Sequence, residues 1–224
     1  ILVTLWFSRD AAIKEHETKV RTITEQLIIK QQSMIDDVKK VTEFLAKKQK
    51  DIKSLPSNCP AYFLDVKALN GNIANIGIVN KNGDLICTSK SSDTNINISD
   101  RPYFKNAIAS KEFSIGHFQH DRSLKAQSIN FAYPILNENN DIEGVIVTVI
   151  ALDWWSSALN TLNLSTEIRA VITDSNGSIL ANYPFSADRL GNKLEKFDLA
   201  HNLQAGVIFK GKDGIRRVFH QTTL

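Results

Sequence analysis

The sequence predicts an α+β fold: one long N-terminal helix followed by two antiparallel-sheet modules in tandem. Three observations carry this. The stretch from Ser8 to about Ile52 holds no glycine and no proline, and its apolar residues recur every seven positions. After Gly71 the chain turns to runs rich in Ile, Val, Phe and Tyr, separated by Asn-, Asp- and Gly-containing turns, the composition of half-buried strands. The strand–turn–strand pattern of Ile76–Thr88 then returns at Ala170–Ala181 as a weak internal repeat.

In the helix, Ile13, Val20, Leu27, Met34 and Val41 mark the seven-residue spacing. Ile23, Val38, Leu45 and Ile52 widen the same face, and Lys14, Glu15, Lys19, Arg21, Asp36, Asp37, Lys39 and Lys40 fill the others. Such a helix is on the order of 65 Å long, more than one small sheet needs as cover. It is expected to serve as a signalling stalk and to support a homodimer, although His16, Lys30 and Lys48 interrupt a continuous coiled coil. The apolar run Ile1–Phe7 is far short of the about 20 residues of a membrane span. With Trp6 and Arg9 at its edge it reads as the tail of a span, the alternative being an apolar turn packed on a partner.

Leu55-Pro56-Ser57-Asn58-Cys59-Pro60 ends the helix, since proline forbids its continuation. A short helix, Ala61–Leu69, is expected to turn Tyr62, Phe63 and Leu69 inward. Five strands follow: Asn72–Val79, Leu85–Ser89, Phe113–His120, Gln127–Pro134 and Gly144–Leu152. Asn82-Gly83, both tolerant of positive φ, and Asn139-Asn140-Asp141 punctuate two hairpins. Between the second and third strands lie a polar loop, Lys90–Asp100, and a short helix, Arg101–Ile108, with Pro102 just inside its start. Asp153–Leu162 is an amphipathic linker helix. The second sheet opens at Glu167–Asp174 and includes Val207–Lys210, a turn at Lys212-Asp213-Gly214 and Arg216–Thr223. The domains expected are 1–55, 56–155 and 156–224.

At 42% hydrophobic and 23% charged, with a formal net charge of +3, the composition is that of an ordinary globular protein, with no basic stripe to suggest nucleic acid. Of the five histidines only His117 and His120 are near neighbours, and three residues apart on a strand they point to opposite faces. There is no Gly-rich phosphate loop and no Gly-x-Ser-x-Gly elbow. No catalytic residue, metal or cofactor is expected.

Asp84–Cys87, Asp100-Arg101-Pro102-Tyr103-Phe104, Phe113–Gly116, Ser128–Pro134 and Gly144–Trp155, in that order and spacing, resemble the membrane-distal module of a double Cache domain. This is the tandem PAS-like extracytoplasmic sensor of bacterial transmembrane receptors, here most similar to those of diguanylate cyclases and histidine kinases. The resemblance covers most of the chain. It implies a periplasmic ligand-binding sensor domain of an inner-membrane signalling protein, and a second module that lacks its last strand and a following membrane span. The alternative is a ligand-free module acting as a dimerising or partner-docking spacer.

By the same resemblance Arg101 matches the arginine that grips a ligand carboxylate, suited to it by its bidentate fork. Tyr103 and Phe104 match the aromatics that follow, Tyr103 expected to touch the ligand and Phe104 to pack in the core beside it, and Gln119 falls where amino-acid sensors carry a pocket aromatic. Strand alternation groups His117, Gln119 and Asp121 on one face, and Ser128 and Asn130 on one face of the next strand. Asn130, inside an apolar run, needs a hydrogen-bond partner: ligand, Gln119 or backbone. Val149 occupies the slot where relatives place an Asp for the ligand ammonium. A valine there, with the charge of Arg101 unopposed, favours a carboxylate without an amine or another small polar molecule. Cys59 and Cys87, the only cysteines, flank the first strand. In an oxidising compartment they are expected to pair; otherwise they are two buried thiols.

Overall fold

The structure, a computed structural model, describes residues 2–49, 58–90, 95–194, 207–210 and 216–219. Residues 55–57, the 212–214 turn, Ile52, His201 and His220 lie outside them. Helix α1 runs unbroken over Leu2–Lys48. The chain divides into two compact units, one of them Met34–Leu194; the earlier part of α1 and the C-terminal hairpin belong to the other.

Within Met34–Leu194, a central sheet is built from β1 (Asn75–Asn80), β2 (Leu85–Thr88), β3 (Ser114–Ile115), β4 (Gln119–His120), β5 (Gln127–Leu136) and β6 (Ile142–Ala151). Its order is β2-β1-β6-β5-β3, with β4 also on β5, and its pairings are antiparallel. Helix α2 (Cys59–Leu69) precedes it, α3 (Pro102–Ser110) joins β2 to β3, and α4 (Asp153–Asn160) follows β6. A second hairpin, β7 (Ala170–Thr173) with β8 (Ile179–Tyr183), completes the unit. In the other unit β9 (Val207–Lys210) pairs antiparallel with β10 (Arg216–Phe219).

The period-2 alternation of the strands gives the central sheet two covered faces. One carries Ile76 and Ile78, Phe131 and Ile129, Ile146 and Ile150, all buried. Met34, Val38, Leu45 and Ala46 of α1 are buried too, and the Thr42 hydroxyl meets that of Thr148 at 2.9 Å, so α1 lies on this face. Thr42 also donates to the Val38 carbonyl, which leaves neither buried hydroxyl unpaired. The other face carries Val79, Ala132, Val145, Val147 and Val149, and α3 covers it with Tyr103, Phe104 and Ala107.

Three hairpin turns share one chemistry. Asn80, Asn137 and Asp174 each accept two backbone N–H groups on a side-chain oxygen, from Asn82 and Asp84, from Asn139 and Asp141, and from Asn176 and Ser178. Each turn closes through a left-handed residue at the fourth position: Gly83 (φ 86°), Asn140 (φ 64°) and Gly177 (φ 76°). In the first turn, therefore, Gly83 alone of the Asn82-Gly83 pair takes positive φ.

Three expectations need correction. Leu69 is 89% exposed, not inward; it sits six residues, about 120° of helical rotation, from the buried Phe63. The strand expected at Phe113–His120 is broken into β3 and β4: Gly116 still donates to the Asn130 carbonyl of β5, but His117 and Phe118 leave the ladder. The Phe118 N–H donates instead to the Asp174 carboxylate, 2.8 Å away at the β7–β8 turn. The first strand begins at Asn75 rather than Asn72, whose side chain accepts from the Trp154 indole. Cys59 and Cys87 are joined in a disulfide, 28 residues apart, tying α2 to β2. In the chain-entropy model a closure of this size stabilises by roughly 3–4 kcal/mol.

Candidate ligand-binding site

The site lies on the α3 face. Arg101 caps the helix in extended conformation (φ −75°, ψ 131°), Pro102 supplies the preset φ of the first turn, and Tyr103, Phe104 and Ala107 are the buried residues of α3. Tyr103 packs so closely on the strand that a Cβ at Gly116 would stand 3.0 Å from its ring and 2.8 Å from the Asn130 carbonyl oxygen. Only glycine fits there.

Asp121 is the centre of a buried polar knot. Its Oδ2 accepts from Asn130 Nδ2 at 2.7 Å, and its Oδ1 accepts from the backbone N–H groups of Ser123 and Leu124 and from Ser123 Oγ. Asn130, fully buried, donates also to the Tyr103 hydroxyl at 3.2 Å and accepts from Ser128 Oγ at 2.7 Å. Its protein partners are thus Ser128, Tyr103 and Asp121, rather than Gln119 or the backbone. Burial raises the Tyr103 phenol pKa; the Asn130 and Gln119 amides oppose this, and the Asp121 charge reinforces it.

Arg101 is half-buried and donates from one guanidinium nitrogen to the His120 carbonyl at 3.2 Å, which ties the start of α3 to β4. Gln119, in β4, turns its amide toward the Tyr103 hydroxyl, but its buried Nε2 makes no hydrogen bond of good geometry. Beside them, Arg122 grips Asp100 through two nitrogens at 2.7 and 2.9 Å and also donates to the Asn97 carbonyl. This clasp joins the loop before α3 to the turn after β4 and holds the Asp100 carboxyl below its ordinary range.

Of the residues expected in the site, Tyr103, Asp121, Ser128 and Asn130 form one bonded cluster, with Arg101 and Gln119 at the α3–β4 junction. Phe104 does not belong to it; it packs in the apolar cluster with Ala107, Val145 and Val147. Val149 is buried in that cluster as well, between Asn75 and Asn130 in the strand register. His117 does not share a face with Gln119 and Asp121, because the strand breaks there; its Nδ1 lies 3.3 Å from Ser175 Oγ. Nor is the charge of Arg101 unopposed on this face, since Asp121 brings an acid from outside the Val149 slot.

Asn75 and Ser123 escaped the sequence reading. Asn75 is 2% exposed, donates to Ser123 Oγ at 2.7 Å and accepts from Thr88 and Ser89. The available signal was a lone amide at the head of the apolar run Ile76–Val79.

A sheet with a helix behind it and a polar knot under a short helix has the build of a ligand-binding sensor module. The chain belongs to the double Cache family: the family's model, described as a Cache domain, matches residues 9–222. Such domains are non-enzymatic, so this chain carries a sensor's machinery and no catalytic one. Among solved structures, it resembles the extracellular domain of rpHK1S-Z16, described as a histidine kinase, at 16% identity and a TM-score of 0.82, covering 93% of this chain and 89% of that one. The sensor domain of the Vibrio cholerae histidine kinase DctB matches at 17% identity and a TM-score of 0.65, over 88% and 78% of the two chains. The ligand-binding domain of the Pseudomonas aeruginosa amino-acid chemoreceptor PctC, solved with GABA, matches at 17% and 0.63, over 87% and 86%. No curated protein matches the sequence. Among the described residues no helix is long and apolar enough to cross a membrane.

Proposed function

We propose that this chain is the periplasmic sensor domain of an inner-membrane signalling protein, a histidine kinase, chemoreceptor or diguanylate cyclase, and that it binds a small polar molecule on the α3 face of its first sheet. The domains are 1–55 as stalk, 56–155 as ligand-binding module and 156–224 as second module, and α1 supports a homodimer. The disulfide supports an oxidising compartment.

One observation carries the ligand reading: the Arg101 guanidinium, the buried unpaired Gln119 Nε2 and the Asp121 carboxylate converge on the α3–β4 junction. Arg101 and Gln119 offer donors to an anionic or carbonyl end. Asp121 offers an acceptor to an ammonium or other donor end. A small carboxylate bearing such a donor suits both, and solved relatives are described in complex with GABA, L-Arg and isoleucine.

The test is a thermal-shift screen of small carboxylates, amino acids, amines and purines. A specific ligand at a hundred times its Kd adds about 2.7 kcal/mol. Arg101→Ala should cost roughly 1.5–3 kcal/mol of binding, about tenfold to a hundredfold in Kd, while the ligand-free melting temperature stays nearly unchanged. Arg101→Lys should restore only part, because a point charge cannot reproduce the fork. Normal binding by Arg101→Ala would place the site elsewhere. A panel without any shift would favour the ligand-free spacer.

A further inference from the structure

Two chains of side-chain hydrogen bonds converge on Asp121, one on each carboxylate oxygen. The short arm runs from Ser128 Oγ to Asn130 Oδ1 and from Asn130 Nδ2 to Asp121 Oδ2, at 2.7 Å in each step. The long arm starts on β2. Thr88 Oγ1 and Ser89 Oγ donate to Asn75 Oδ1 at 2.8 and 2.7 Å, Asn75 Nδ2 donates to Ser123 Oγ at 2.7 Å, and Ser123 Oγ donates to Asp121 Oδ1 at 2.8 Å. The polarity is consistent throughout: each hydroxyl or amide that accepts from behind donates forward, so both arms present only donors to the carboxylate. Two donors on Asn75 Oδ1 also fix the amide orientation that aims its N–H groups at Ser123. Asn75, Thr88 and Ser89 are buried and Ser123 is half-buried, so the start of the arm is shielded from competing water.

We infer that Asn75 and Ser123 are positioning residues that set the Asp121 carboxylate for the donor end of the ligand, and so determine selectivity for amine-bearing molecules. This rests on the site proposed above. Asp121 lies just beyond β4, on the turn Asp121–Ala126, where Lys125 takes positive φ (56°). No strand ladder holds its side chain. The short arm fixes Oδ2, and the backbone N–H groups of Ser123 and Leu124 hold Oδ1. The long arm adds the Ser123 hydroxyl as a third donor on that oxygen, held in place by Asn75 of β1, which Thr88 and Ser89 orient in turn. The row Asn75, Val149, Asn130 places the anchoring amide of each arm on either side of Val149. The acid that this slot lacks is supplied by Asp121 and held from both flanks.

The experiment is calorimetric titration of the whole chain with paired probes, GABA against butyrate and L-isoleucine against 3-methylvalerate, each pair differing by the amino group. The wild type should prefer the amine-bearing member. Ser123→Ala should reduce that preference by about tenfold or more, the loss of one well-placed contact to a charged group, with the amine-free member bound as before. Asn75→Leu should reproduce the effect. The double variant should add little, since both residues act through one chain. Ser123→Thr, which keeps the hydroxyl, should restore the preference. General loosening of the fold would weaken both members of a pair together and leave their ratio unchanged, and that result in Ser123→Ala would overturn the inference. If the wild type binds, Arg101→Ala abolishes binding and Ser123→Ala keeps the full preference, the inference alone fails. If neither pair binds the wild type, the site reading fails and the inference with it.

Discussion

Asn130 is fully buried in β5, and its side-chain oxygen and nitrogen are both engaged: Ser128 on one, Tyr103 and Asp121 on the other. An apolar residue of similar volume would leave three buried groups without their partner at once. Asn130→Leu should therefore destabilise far more than Tyr103→Phe. The first abandons a buried carboxylate oxygen and two hydroxyls, each costing about 1–3 kcal/mol, whereas the second removes one hydrogen bond worth about 0.5–1.5 kcal/mol. Urea unfolding followed by circular dichroism measures both, read as shifts in midpoint at constant slope. Equal midpoints for the two variants would mean that Asn130 contributes no more than the Tyr103 contact. At this scale a residue type identifies a need and leaves the partner open. An amide in an apolar strand must be bonded; which groups bond it depends on what the fold delivers to that face.

At the scale of elements, the shared Asx turns show local chemistry acting alone and then acting at a distance. Asn80 and Asn137 use one side-chain oxygen for their turns, and their amide nitrogens donate to Asp84 and Glu143. Asp174 makes the same turn with Oδ1 and has a second oxygen to spare, which takes the Phe118 N–H. Gly191 meets the Phe118 ring from the same hairpin region: a Cβ there would stand 2.4 Å from the ring. Together these contacts draw residues 117–118 off the ladder. Asp174→Asn should keep the turn yet set an amide donor against the Phe118 N–H, losing about 1–3 kcal/mol. Hydrogen exchange should then show the Phe118 amide unprotected while the amides of Ala181 and Ile172 stay slow. Continued protection of Phe118 would mean that the strand breaks for another reason.

At the scale of the whole molecule, α1 presents Ile29 at 69% and Phe44 at 59% exposure, with Val20 and Leu27 half-buried on the seven-residue stripe. Met34, Val38 and Leu45 of that stripe are buried where α1 lies on the central sheet, so the proposed homodimer uses its Val20 and Leu27. Val20→Lys with Leu27→Lys should shift the sedimenting mass toward monomer, because two charges would enter an apolar seam. An unshifted dimer would move the interface off the stripe. What the sequence determined by itself was whatever depends on neighbours in the chain: the unbroken helix, the Asx turns, the alternation of β1, β5 and β6, and Arg101 with Pro102 at a helix start. Family resemblance added the site's outline. Tertiary structure alone decided the rest. Val149 went to the apolar cluster and Leu69 to the surface, the expected third strand broke, and Asn75 joined Ser123 from a strand 48 residues away. Periodicity assigns a side chain to a face, but hydrogen bonds between remote segments depend on register and on where a turn directs the chain. Neither is encoded in any local pattern, because both arise from pairing distant residues at once.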